Sequence, residues 1–139
     1  MPAPLCDYRI DPDAEMALVR MTGNVTGDDI ARCADRLQAD PDWCHHCTAI
    51  WDDRGIDLLD VSPAQLRAMV DAQSGGETGP DLIVTQLPDR LLLMDLYARL
   101  VEIRGRPAAV FSTLDEALAY VGRDALPPRL QAFAHDLLA

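Results

Sequence analysis

Cys44, His45, His46 and Cys47 stand side by side in the stretch DWCHHCTAIWDDR, residues 42–54, which runs on into Asp52 and Asp53. Thiolate and imidazole are the preferred ligands of zinc, but a single Cys-x-x-Cys supplies only half of a usual structural site, whose second ligand pair lies further along the chain. The remaining Cys and His residues are Cys6, Cys33 and His135. Adjacent side chains of an extended segment point to opposite sides, so the four cannot easily converge on one ion. A redox pair of the thioredoxin type follows a strand and opens a helix, whose dipole stabilises the thiolate. This pair instead precedes an apolar run. The residues read first as a polar loop entering a buried strand, one cysteine tucked inward. Cys44, His45, His46 and Cys47 are the candidate ligands if a metal binds.

Beyond the apolar run stand Asp52, Asp53, Asp57 and Asp60. Open α/β sheets place ligands at the carboxyl ends of their strands, and a carboxylate pair there suggests the magnesium pocket of phosphoacceptor and phosphohydrolase folds. Those folds also need a lysine near the phosphoryl group. The chain has no lysine: all twelve of its basic residues are arginine. The acids therefore read as a solvated loop. Lysine-dependent Schiff bases and phosphate loops are excluded on the same ground. No G-x-S-x-G elbow occurs, and three histidines, two of them in one loop, assemble no triad. No catalytic residue is assigned and no cofactor is implied.

A chain of 139 residues, 49% apolar and 25% charged, fits one globular domain with a core of its own. Its net charge of -11 disfavours nucleic acid and anionic membrane surfaces as partners, since both are polyanions. No apolar run reaches the length of a bilayer span, and the first residues lack the basic and apolar regions of a signal peptide. The expectation is a cytoplasmic protein whose four cysteines are reduced.

The elements that must position these residues follow from patterning. Residues 5–10 and 15–21 read as an antiparallel strand pair joined by Asp11, Pro12, Asp13 and Ala14. Thr26 with Asp29 three residues on forms a capping box for a helix reaching about residue 40, with Ile30, Cys33, Ala34 and Leu37 on its apolar face. A short apolar strand spans 48–51. Ser62-Pro63 opens a helix burying Leu66, Met69 and Val70, ended by Ser74, Gly75 and Gly76. Residues 81–85 and 107–111 are further apolar strands, with the longest helix, 88–105, between them. Ser112 or Thr113 caps a helix through Leu114, Ala117, Leu118 and Val121, and Pro127-Pro128 separates an amphipathic tail, 129–138. The order ββαβαβαβα plus a C-terminal helical tail predicts an α/β fold: a single mixed, mostly parallel sheet flanked by helices. Residues 1–139 form one domain, with a core of about 5–122 and a tail of 123–139.

The segment DDRGIDLLDVSP, residues 52–63, runs strand, glycine, apolar residues, aspartate, serine, helix. It resembles the part of STAS domains and anti-sigma-factor antagonists in which a strand leads into an Asp-Ser-Ser-Gly or Asp-Thr-Ser-Gly turn. The element order over residues 5–122 is similar to the wider STAS-like superfamily. It is most similar to an uncharacterised bacterial branch marked by D-x-R-G after a strand, here Asp52 to Gly55, and by F-x-x-x-x-E-A-x-x-x-x-G, here Phe111, Glu116, Ala117 and Gly122. The resemblance puts Ser62 where the antagonists carry their phosphorylatable serine, with Asp60 two positions before it. Val61 replaces a hydroxyl residue and Pro63 a glycine of that pattern. On its own residues, Ser62 is a good N-cap. A phosphate there would lie beside Asp57 and Asp60 and be repelled, acting as a disruptive switch.

On the longest helix, Leu92, Leu93, Met94, Leu96, Tyr97, Leu100, Val101 and Ile103 cover an arc of about 200°, roughly twice what a sheet covers. The excess should be covered by the tail, through Leu130, Phe133, Ala134, Leu137 and Leu138, or by a second subunit or partner. Leu92, Leu93, Leu96, Tyr97, Leu100 and Ile103 are the candidate interface. Three functions follow. The first is a non-catalytic cytoplasmic regulatory domain of STAS-like type acting through protein contact or a homodimer. The second is a binding protein for a small apolar ligand or acyl chain, and the third a metal-dependent hydrolase using Asp52, Asp53 and the nearby histidines.

Overall fold

The computed structural model describes residues 5–72 and 77–135. The expected helix end at Ser74, Gly75 and Gly76, and the tail residues Leu137 and Leu138, lie outside the described residues. Strand β1 (Cys6–Asp11) turns back into β2 (Met16–Thr26), and the Asp11 carboxylate holds the turn by accepting from the backbone N–H groups of Asp13 and Ala14, each at 3.1 Å. Helix α1 (Gly27–Ala39) follows, then β3 (Thr48–Asp60), α2 (Pro63–Ala72), β4 (Asp81–Val84), α3 (Pro88–Ile103), β5 (Ala108–Phe111), α4 (Leu114–Tyr120) and α5 (Pro128–His135). One five-stranded sheet runs in the order β1-β2-β3-β4-β5, with β1 antiparallel to β2 and the others parallel. The α/β architecture with a mixed, mostly parallel sheet is therefore as expected.

Each parallel crossover steps the same way across the sheet and is right-handed by rule, so α1, α2 and α3 share one face. Side-chain alternation divides the strands accordingly. Ala17, Val19 and Met21 of β2 pack with Cys33 and Leu37 of α1, and Ile83 of β4 packs with Leu66 of α2 and Met94 of α3. On the other face Met16, Leu18, Ile50, Leu82 and Val84 pack under Ala117 and Leu118 of α4 and under Leu130 and Phe133 of α5. All four residues of β4 are buried, as befits a strand covered on both sides.

Three expectations are corrected. First, the chain does not leave the sheet after Trp51: β3 continues to Asp60 and pairs with a β2 itself prolonged to Thr26, through register shifts between Arg20 and Thr22 and between Gly23 and Asn24. Bulges let a strand bend and twist while staying paired, which is how the polar run 52–60 remains extended. Second, the tail does not cover α3. Helix α5 lies across the opposite face, against β1 and the cluster around Met16 and Leu18. Third, Cys6 and Cys33 are joined in a disulfide that ties β1 to α1. Their Cα atoms lie 6.2 Å apart, within disulfide reach, because both side chains point into the same buried layer. No helix among the described residues is long and apolar enough to cross a membrane.

Candidate functional site

The Cys/His loop lies between α1 and β3. Cys47 is buried, Cys44 partly so, and both histidines are exposed. The Cys47 thiol is pushed up to about 12, by burial and then by the neighbouring Cys44; it is no thiolate at neutral pH. His46 Nε2 lies 3.2 Å from a Glu15 carboxylate oxygen. The His45 carbonyl accepts from the Thr78 backbone N–H at 2.7 Å and from that of Gly79 at 3.2 Å. A β-carbon on Gly79 would collide with the carbonyl oxygens of Cys47 and His46, so glycine is what lets the two loops dock. Among the described residues no three Cys, His, Asp or Glu side chains are gathered as a metal site would need. Cys44, His45, His46 and Cys47 here hold the loop at the mouth of β3.

The larger feature is a cleft of about 360 Å³ between α1 and α2, on the sheet face that also carries α3. Its two walls are helical faces with little bulk. Gly27, Ile30, Ala31, Ala34 and Gln38 come from α1, and Gln65, Ala68, Met69 and Ala72 from α2, both at the three- and four-residue spacing of one helical face. The glycine and alanine residues leave the space between the two helices unfilled. The floor is Met21, Trp51, Asp53 and Ile83 of the sheet with Met94 and Tyr97 of α3. The volume falls within the ~300–1,000 Å³ of small-molecule sites, which pair apolar walls with a few convergent polar groups.

Asp53 is the polar group that matters in this cleft. Two residues beyond Trp51 on a strand, it faces the same side, beneath the helices, and is only 6% exposed. Its Oδ1 has no hydrogen-bond partner among the described residues. Burial, and next the charge of Asp52, push its carboxyl up to about 8, with Arg90 opposing and Asp81 adding. Arg90 is spent elsewhere: its guanidinium donates to the backbone carbonyls of Ile56 and Asp57. At neutral pH Asp53 is therefore mostly the neutral acid.

Asp81, on the neighbouring strand, is also buried and its Oδ1 too has no hydrogen-bond partner among the described residues, but its Oδ2 is held. The Tyr97 hydroxyl donates to its Oδ2 at 2.6 Å, and Arg106 lies 3.5 Å from the same oxygen while donating to the Gly79 carbonyl at 2.6 Å. Burial raises the Asp81 carboxyl, opposed by Arg106, Tyr97 and Trp51. This network fixes the ring of Tyr97 against the floor of the cleft. Asp52 belongs to the other side of the sheet, where Arg54 grips it with two hydrogen bonds of 2.9 and 2.8 Å. Asp52 and Asp53 are both buried, which corrects the reading of these acids as a solvated loop. Alternation along β3 sends them to opposite faces, so they do not form one chelating pair. Asp57 and Asp60 are exposed.

Ser62 caps α2 by a reciprocal pair: its hydroxyl accepts from the Gln65 N–H at 3.1 Å, and its own N–H donates to the Gln65 side chain at 2.8 Å. Of the candidate interface, Leu93 and Tyr97 pack against the core around Ile83, and Leu100 packs with Val101 and Ala108. Leu96 is half-buried, while Leu92 and Ile103 are 79% and 78% exposed. The alternation that keeps Asp53 in register with Trp51 was available in the sequence, but only to a reading that carried the strand past the charges. No family model matches the chain, and no curated protein or solved structure matches it.

Proposed function

We propose that this protein binds a small, largely apolar molecule in the cleft between α1 and α2. The observation that carries this reading is the combination, in one cavity of about 360 Å³, of apolar walls, two aromatic floor residues and a buried carboxyl oxygen without a partner. Trp51 in the floor reports on occupancy. The neutral dye N-phenyl-1-naphthylamine should bind saturably, with energy transfer from tryptophan, and 1-octanol should displace it. Ala34→Phe, which fills the cleft from one wall, should abolish binding while the protein melts as cooperatively as the parent. A folded Ala34→Phe protein that binds the dye like the parent would sink the proposal, as would a parent that does not bind it.

A second reading, STAS-like regulation through protein contact, draws on the resemblance of residues 52–63 and 111–122 and is favoured by the exposure of Leu92 and Ile103 on α3. Ser62 is exposed as a modification would require, yet its hydroxyl already caps α2. The two readings are compatible, because α3 supplies the cleft floor from one face and Leu92 and Ile103 from another.

A further inference from the structure

Resting on the cleft as the binding site, we infer that its occupant carries a cationic amine on an apolar body and that Asp53 is the counter-ion. Three independent features point this way. The Asp53 side chain is almost wholly buried, lines the cavity and leaves Oδ1 without a donor among the described residues. Such an orphan is costly to bury, and a donor on the ligand would satisfy it. The floor around it offers Trp51 and Tyr97, whose ring faces attract a cation, and the polarisable Met21, Met69 and Met94. The lining also includes Asp28 and Asp35 of α1, both exposed, and among the described residues no basic one. On a chain of net charge -11, such a mouth draws in cations and turns away carboxylates.

The charged groups around Asp53 sharpen the choice. Asp52 on its own strand, Asp81 on β4, and Asp28 and Asp35 on α1 are acidic; Tyr97 and Arg90 come from α3, and α2 contributes Gln65 but no charge to the lining. Among the described residues Arg90 is the cation that acts on Asp53, and it is committed to the Ile56 and Asp57 carbonyls. An entering ammonium would ionise Asp53 and expel its proton, forming a short charge-assisted hydrogen bond with the carboxylate. A carboxylate ligand would gain nothing from an ionised Asp53. A neutral alcohol would leave the proton where it is.

The test compares n-octylamine, 1-octanol and octanoate, probes of one chain length, by calorimetry on the intact protein. Octylamine should bind at least tenfold tighter than octanol at pH 8. Because binding releases a proton from Asp53, octylamine affinity should rise between pH 6 and 8 by up to about tenfold per unit. At pH 7, a unit below the Asp53 value, the heat should differ between phosphate and Tris as release of close to one proton requires. Asp53→Asn should weaken octylamine more than tenfold, abolish its pH dependence and leave octanol within about twofold. Octylamine binding no tighter than octanol, or unaffected by Asp53→Asn, overturns the inference while leaving the cleft as an apolar site. Octanoate as the tightest ligand overturns it too. Failure of all three to bind removes the cleft reading and this inference together.

Discussion

Moving the Asp53 carboxylate from water into the cleft is unfavourable to the folded chain, and the expense depends on pH. Its ordinary value of 3.8 rises to about 8 on folding. Between those values the folded protein holds a proton that the unfolded chain has released, so stability falls with rising pH by up to about 1.4 kcal/mol per unit. Below pH 4 and above pH 8 this contribution is flat. Asp53→Asn, which cannot ionise, should therefore gain at least ~2 kcal/mol on the parent between pH 5 and pH 8. Urea titrations at the two values measure it; parallel profiles for the two proteins would show that Asp53 is not held neutral. Asp81 is raised in the same direction and also leaves Oδ1 without a partner among the described residues, but its Oδ2 is held by Tyr97 and Arg106, and it is this compensation at the second oxygen, together with the place of Asp53 in the cleft lining, that separates the two acids. From the residues alone the two aspartates look alike. Asp81 opens a visibly apolar strand, whereas Asp53 sits in the acid-rich run 52–60, where charge resembles a loop.

The elements that were legible were those marked by local chemistry. Thr26 and Asp29 close the capping box of α1, with the Asp29 N–H donating to the Thr26 hydroxyl at 3.3 Å and the Thr26 N–H to the Asp29 carboxylate at 2.9 Å. Thr113 caps α4 through the Glu116 N–H at 3.1 Å. Ser62 and Gln65 do the same for α2. Each signal is short-range and survives any tertiary context. Ser62→Ala should cost about 1 kcal/mol, a fall of roughly 3 °C in melting temperature. A change within error would mean that the cap is redundant beside Pro63, and would free the hydroxyl for another use. The true lengths of β2 and β3 were not legible in this way. Their outer halves, 22–26 and 55–60, pair with each other through irregular register, and half-exposed strands with bulges lack the alternation by which a strand is recognised. The cleft was hidden for a related reason: Ala31, Ala34, Ala68 and Ala72 read as neutral helix-formers, and only the distance between α1 and α2 turns them into walls.

At the scale of the whole molecule the two faces of the sheet do different work. Three helices share one face and leave the cleft between two of them; α4 and α5 cover the other. The tail is therefore part of the core rather than a cover for α3. Leu130 is fully buried and Phe133 nearly so, against Met16, Leu18, Ile50 and Leu82. The guanidinium groups of Arg9 and Arg20 stack on the Phe133 ring at 4.9 and 5.0 Å, and Arg20 donates to the Phe133 carbonyl at 3.1 Å. Truncating a buried Phe or Leu to Ala costs about 2–5 kcal/mol, against a total stability of about 5–15 kcal/mol for a domain. Deleting residues 128–139 should therefore leave a chain that binds hydrophobic dyes non-specifically and melts without cooperativity. Phe133→Ala should remain folded but lose about 3 kcal/mol in urea titration. Because α3 lies across the sheet from α5, Phe133→Ala should also leave the sedimentation coefficient unchanged, whereas Leu92→Glu with Ile103→Glu should convert any self-associated form to monomer at little cost in stability. A truncated protein that still unfolds cooperatively near the parent midpoint would put α5 outside the core and return it as a candidate cover for α3.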